Sequence, residues 1–314
     1  MTKDAGRDLS RGMRVKYFLT NAALRTMFGA VLLLPYRRRV PIMGWLAARI
    51  VAPLAGWRTR IRDNLALAWP DLPPDEVRRL TRKVPENVGR TLIELYSGEE
   101  FVARARTARV EGDGLAALEA ARAEKRPVIL VTAHFGNYDA ARAALIARGH
   151  RMGALYRPMR NPYFNAHYVR TISAIGTPMF EQGRRGMIEM VRHLKGGGVL
   201  GILTDLAARR GAPLSFFGCT ALTSLATAEL ALKYDAVLIP TFSRRDASGL
   251  GFEIELQAPV PPGDPAAMMQ EVNDRLEAKV RADPEQWFWI HRRWKSATRR
   301  APRQRNRAAA STAP

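Results

Sequence analysis
The sequence predicts an α/β fold: a mixed, mostly parallel central sheet flanked by helices, preceded by N-terminal helices that associate with a membrane. Three observations predict it. Short apolar, β-rich runs at residues 127–132, 152–156, 199–204 and 235–242 alternate with segments whose apolar residues recur at helical spacing, as in βαβ units. Two apolar stretches, 17–36 and 40–57, lie ahead of the first strand. The formal net charge of +21 is concentrated at the ends: residues 1–62 hold 13 basic against 2 acidic side chains, residues 291–314 hold 8 against none, and residues 63–290 hold 29 against 27.

With 314 residues, 47% of them hydrophobic, the chain can bury one large core, with or without an appendage. The single Cys219 excludes an internal disulfide and a multi-cysteine metal site, and fits a reducing compartment. The five histidines are scattered with no close His pair and no HExxH pattern, so metal chemistry is not expected. A nucleic-acid enzyme would line its central groove with charge. Basic ends on a near-neutral body fit attachment to an anionic membrane, or to an acidic protein partner, better than attachment to nucleic acid.

Taken in order, residues 1–57 read as a basic, apolar, membrane-associating segment. Arg25 interrupts the first apolar stretch, and the uninterrupted part, 26–36, is too short to cross a bilayer. Arg37, Arg38 and Arg39 follow, and no small-residue cleavage site stands out, so the expectation is a retained helix that enters or lies in the membrane with the arginines on the cytoplasmic side. Residues 40–57, with Trp45 and Trp57 near the ends, would lie at the interface. The alternative is that both helices pack against the main domain.

Residues 58–295 read as the α/β domain and 296–314 as a basic, disordered tail. Residues 58–69 form an amphipathic helix ended by Pro70, and 75–96 another, with Pro85 a break or kink. A helix starting near Leu115 leads into the stretch that organises the chain, RPVILVTAHFGNYDAARAALIARG at 126–149. It reads strand, turn, helix, with His134, Gly136, Asn137 and Asp139 in the turn, at the carboxyl end of a buried strand where ligands and catalytic groups collect. Asn137 is a plausible N-cap. If His134 precedes the helix and Asp139 lies in its first turn, the carboxylate can bind one imidazole nitrogen and leave the other as a general base. Local capping is the bland alternative.

Further strand ends deliver charge to the same rim. Residues 152–156 end at Arg157, a guanidinium for a phosphate or a developing oxyanion, or a surface ion pair. A helix at 165–173 carries His167, read as structural. A polar loop at 180–185 precedes a helix at 186–195, stopped by three glycines, and the strand 199–204 ends at Asp205, with Arg209 and Arg210 just beyond. PLSFFG at 213–218 leads into an Ala- and Leu-rich helix over 220–234, capped by Thr223 or Ser224, whose surroundings could line an acyl channel or be ordinary helix-on-sheet packing. The strand 235–242 is followed by Arg244 and Arg245, an antiparallel edge strand at 251–257 and a closing helix at 264–282. PEQWFWIHRRWK at 284–295 combines three tryptophans with four basic residues, a composition suited to a membrane interface.

These blocks together resemble the late acyltransferases of lipid A biosynthesis, within the wider lysophospholipid acyltransferase-like superfamily. The resemblance spans roughly residues 58–295. It rests on the HxxxxD/E signature at His134 and Asp139, YRPxxNP at 156–162, the strand-end Asp205, FFG at 216–218, the arginine pair after the last core strand and PEQWFWIHRRWK. The acid is Asp here, where relatives with lipid A substrates often carry Glu.

The resemblance implies transfer of a fatty acyl group from an acyl carrier protein thioester, the donor substrate, to a hydroxyl of a phosphorylated glucosamine lipid, at the cytoplasmic face of a bacterial inner membrane. Partners would be the acidic carrier protein, the anionic membrane and the phosphorylated glycolipid. His134 would act as base and Asp139 as its orienting acid, while Arg157, Asp205, Arg209 or turn groups at Gly136 and Asn137 would bind substrate or the oxyanion. Transfer to a lysophospholipid or an amino-acid lipid is the alternative. A hydrolase is disfavoured by the lack of a G-x-S-x-G elbow.

Overall fold
The computed structural model describes residues 9–294; the tail expected at 296–314 lies outside them. The chain enters through α1 (Arg11–Leu32), α2 (Tyr36–Leu46), a π-helical turn (Ala47–Val51), α3 (Ala52–Leu54), α4 (Trp57–Ala68), α5 (Pro74–Tyr96) and α6 (Glu99–Arg106). The alternating part then runs β1 (Arg109–Glu111), α7 (Gly114–Ala123), β2 (Val128–Thr132), α8 (Tyr138–Ala147), β3 (Met152–Tyr156), α9 (Pro162–Ile175), β4 (Met179–Glu181), α10 (Arg184–Lys195) and β5 (Val199–Leu203). A hairpin of β6 (Ala212–Phe216) and β7 (Cys219–Thr223) is followed by α11 (Ala226–Lys233), β8 (Val237–Arg245), β9 (Phe252–Leu256), α12 (Pro265–Ala282) and a short 3-10 turn (Pro284–Gln286).

Seven strands form one sheet in the order β1-β9-β8-β2-β5-β3-β4. Only β8 and β9 pair antiparallel; the other neighbours are parallel, so the expected mixed, mostly parallel sheet is present. β2 and β5 lie at its centre and are buried along most of their length, as near-continuous apolar strands must be when helices cover both faces. Their register, Thr132 opposite Leu203, brings the two chains to the same rim side by side.

Several expectations need correction. The 251–257 strand is antiparallel but not an edge, because β1 pairs along its outer side. The polar loop at 180–185 begins in a strand, β4. The helix over 220–234 is two elements: Thr223 ends β7, and only Ala226–Lys233 is helical. Of the break or kink expected at Pro85 the break is absent, since α5 runs through it. The tryptophans of PEQWFWIHRRWK face the core: Trp287, Trp289 and Trp294 are all fully buried, packed with Phe216 and Phe217 of the hairpin turn. Arg293 is also buried and bonds Leu222 O and Thr223 Oγ1, so this segment ties the hairpin to the domain.

The N-terminal helices do two things at once. Tyr36, Val40 and Met43 join the main core, and α2 meets α5 so closely that a Cβ on Gly89 would lie 2.5 Å from both Ala47 Cβ and Met43 O. Their outer face stays apolar and open, with Phe18, Leu19, Leu33, Trp45, Ile50 and Leu54 exposed. Among the described residues no single helix is long and apolar enough to cross a membrane; Tyr36–Leu54 and Trp57–Ala68 pass such a test only together, bent by 85°. Of the three clustered arginines Arg37 and Arg38 are exposed, whereas Arg39 is buried on Ser97 and Glu100.

Candidate active site
β2 ends at Thr132 and β5 at Leu203, and because these two residues are register partners, His134 and Asp205 arrive together two residues further on. His134 Nδ1 lies 2.8 Å from Asp205 Oδ1, and the His134 backbone N–H donates to Asp205 Oδ2 at 3.0 Å. The Trp287 indole N–H donates to the same oxygen at 2.9 Å. Burial alone would raise the Asp205 carboxyl, but the facing His134, then His291 and the Trp287 donor, hold it well below the usual carboxylate range. The result is a buried carboxylate that fixes the imidazole from one side. Nε2 of His134 has no hydrogen-bond partner among the described residues, and the side chain is 18% exposed.

His134 forms part of the wall of a cavity of about 590 Å³ between β2, β5, β3 and helices α8 to α11. Its lining is mostly apolar, with Leu130, Met152, Ile172 and Met190 among the residues, and Ala226, Thr227 and Leu230 of α11 contribute to it. Polar groups cluster around His134: Tyr138, Asp139 and Tyr168 face the same space, and Arg157 stands exposed at its edge.

The predicted His134–Asp139 hydrogen bond is absent. Asp139 Oδ1 accepts from Arg142 Nε at 2.7 Å, and Arg142, itself buried, donates to Ile172 O and Gly176 O at the end of α9. The reason is local geometry. Asp139 and Arg142 lie three apart on one face of α8, while the imidazole is drawn toward β5 by Asp205. Asp205, expected to bind substrate or oxyanion, instead sits beneath the histidine, 1% exposed.

Gly136 and Asn137 are also corrected, from substrate-facing groups to scaffold. The Gly136 N–H donates to Gln286 O at 2.8 Å and the Asn137 N–H to Ser243 O at 3.2 Å, so neither amide is available to an oxyanion. Gly136 has φ of +53°, and a Cβ there would lie 1.9 Å from Ser243 O, which is why a glycine is needed. Asn137 is the N-cap of α8 as predicted, accepting from Asp139 N; its amide nitrogen donates to Glu94 Oε2 at 2.8 Å. Glu94 is fully buried and paired with Arg245, and Thr91 Oγ1 donates to Gly136 O, so α5, β8 and the C-terminal segment clamp the turn. Arg209 is exposed just beyond Ala208, the last cavity-lining residue of its loop.

Sequence reasoning missed Glu94, Arg142, Trp287 and His291. The His291 ring centroid is 4.4 Å from that of His134, and burial, followed by the neighbouring His134, pushes its pKa down to about 4. Among the described residues no cluster of His, Cys, Asp and Glu could hold a metal ion.

The geometry can be set against known proteins. A family model described as bacterial lipid A biosynthesis acyltransferase matches residues 10–296. A lipid A biosynthesis acyltransferase of Haemophilus influenzae is 27% identical over 262 residues, 82% of this chain and 81% of that protein. A lipid A biosynthesis lauroyltransferase of Escherichia coli K12 is 27% identical over 77% of this chain and 80% of its own length. A phosphatidylinositol mannoside acyltransferase of Mycobacterium tuberculosis is 25% identical over 58% of each chain.

Proposed function
The chain belongs to the bacterial lipid A biosynthesis acyltransferase family, and on that premise we propose that it moves a fatty acyl chain from an acyl carrier protein thioester to a hydroxyl of a phosphorylated lipid A precursor, by general-base catalysis at His134. The observation that carries the reading is the His134–Asp205 pair, with Nδ1 held at 2.8 Å and Nε2 left open on the wall of an apolar-lined cavity.

An alcohol attacks a thioester only when its proton is removed as the C–O bond forms. Nε2 of neutral His134 takes that proton, the oxygen bonds to the carbonyl carbon, and the carbonyl electron pair moves to oxygen. Collapse of the tetrahedral oxyanion breaks the C–S bond, and the imidazolium returns the proton to the leaving thiolate. Asp205 holds the tautomer that makes Nε2 the acceptor and stabilises the imidazolium, the role the sequence had assigned to Asp139. Asp139 supports the site through Arg142 and α9. The cavity receives the acyl chain, and the exposed Arg157 and Arg209 meet phosphate of the acceptor or the donor's acidic carrier.

The reaction sits at the cytoplasmic face of a bacterial inner membrane. Supporting this are the open apolar face of α1 to α3 and the exposed Arg37, Arg38 and Arg49, which suit insertion beside anionic headgroups. The alternative acceptor is a lysophospholipid or an amino-acid lipid, and the likeness to the phosphatidylinositol mannoside acyltransferase adds a phosphatidylinositol glycolipid to that alternative. Mass spectrometry of the host's membrane lipids with and without this protein decides between them: loss of one acyl chain from lipid A supports the main reading, and an unchanged lipid A beside an altered phospholipid or amino-acid lipid supports the alternative.

A further inference from the structure
We propose that the Tyr138 hydroxyl donates the hydrogen bond that stabilises the oxyanion formed when the acceptor attacks the thioester carbonyl at His134. The inference rests on the acyl-transfer reading above and adds a catalytic residue to it.

The tetrahedral intermediate places a full negative charge on the former carbonyl oxygen, within about 3 Å of which a donor is needed. The obvious donors are taken. Every backbone N–H from His134 to Asn137 is engaged: His134 to Asp205, Phe135 to Ala133 O, Gly136 to Gln286 O and Asn137 to Ser243 O. The Asn137 side-chain amide is held by Glu94.

Tyr138 is an uncommitted polar side chain that lines the cavity and touches the His134 ring; the His291 ring lies closer to His134 but is not part of the cavity wall. The Tyr138 ring meets His134 edge to face with centroids 5.2 Å apart, and both residues line the same cavity. Among the described residues its hydroxyl has no hydrogen-bond partner, in contrast to Tyr156, whose hydroxyl donates to Glu181. Its position follows from the fold: Asn137 caps α8, so residue 138 is the first helical residue and is directed back over the turn that carries His134. Burial, then Tyr168 and the carboxylates of Asp139 and Asp205, raise the phenol well above 10, so it stays protonated and can donate at any working pH. A phenol in that state can give up a hydrogen bond to an oxyanion and is not itself deprotonated by the reaction.

Arg157 is the rival donor. It is exposed on the loop after β3, which β5 separates from β2, so it reaches the cavity from the solvent side. A donor fixed by packing on the base itself is better preorganised than a solvated cation at the rim.

The test is steady-state transfer by the purified full chain, with a dodecanoyl acyl carrier protein thioester as donor and a phosphorylated lipid A precursor as acceptor, and with donor hydrolysis by water followed in parallel. Tyr138→Phe keeps the ring and its contact with His134 and deletes only the donor. The expected result is a fall in kcat of about 10²–10³-fold for both transfer and hydrolysis, the loss typical of one oxyanion donor, with the donor KM and the melting temperature unchanged. A kcat within about threefold of wild type overturns the proposal, as does a loss confined to KM, which would make the hydroxyl a chain-binding group. A loss that tracks a lowered melting temperature also overturns it, in favour of packing. Full activity in His134→Ala would instead refute the acyl-transfer mechanism, whatever Tyr138→Phe does.

Discussion
His134 and Asp205 lie 71 residues apart in the sequence and 2.8 Å apart in the fold. The contact exists because β2 and β5 are neighbours in register, so each side chain leaves its strand at the same height. It divides the labour of the two acids: Asp205 serves the imidazole, and Asp139 serves Arg142.

That division predicts different failures. Asp205→Asn should lower kcat by about 10³–10⁴-fold, as loss of an orienting carboxylate does elsewhere. Asp139→Asn should act first on stability, by roughly 3 kcal/mol, because it leaves the buried Arg142 cation without its partner. Kinetics and thermal melts of the two purified variants check this. Loss of transfer in Asp139→Asn at an unchanged melting temperature, with an active Asp205→Asn, would reverse the assignment.

Gly136→Ala should destabilise the protein by at least about 3 kcal/mol, since a positive φ is strained for alanine and the new Cβ would strike Ser243 O. Denaturant titration gives the number; a midpoint close to wild type would mean that the turn can be rebuilt without the glycine.

Acid stability should depend on His291. Its folded pKa, about 4, lies below the ordinary 6.5, so between these values the unfolded chain binds more protons and stability falls as pH falls. His291→Phe should reduce the slope of the stability curve between about 6.5 and 4, leaving the part contributed by His150, His167 and His193, which burial also lowers, and the loss at lower pH, where Asp205 and other depressed carboxylates take up protons. Melting temperatures across that range measure it, and an identical slope in the variant would exclude His291 as its source.

Trp45 and Leu54 are exposed on the outer face of the N-terminal helices. Replacing both with serine should weaken binding to phosphatidylglycerol-containing vesicles by about a hundredfold, as expected for two apolar anchors of about 1.5 kcal/mol each. Binding of the wild type should weaken as salt rises. Sedimentation with vesicles reports both, and binding equal to wild type in the double variant would remove this face from the membrane account.

The sequence made β2, α8 and the turn between them legible because each obeys a local rule: an apolar run, a helical period, an Asn cap followed by an acid. Local rules also misled. Spacing within one segment favoured Asp139, whereas the true partner of His134 depends on which strands lie side by side, which periodicity cannot specify. The three tryptophans near arginines read as interfacial by composition, yet they fill the space between the hairpin and α12, and the buried Arg293 finds neutral acceptors there. The hairpin itself was hidden by an Ala- and Leu-rich run that reads as helix until its first residues pair across the turn at Phe217 and Gly218, both at positive φ.

The central claim, that the open nitrogen of His134 is the base for acyl transfer, is tested most directly by the single-turnover rate of dodecanoyl transfer in purified His134→Ala, with folding verified by its melting curve. The account predicts a folded protein with no measurable transfer. Transfer at the wild-type rate by the folded variant would contradict it.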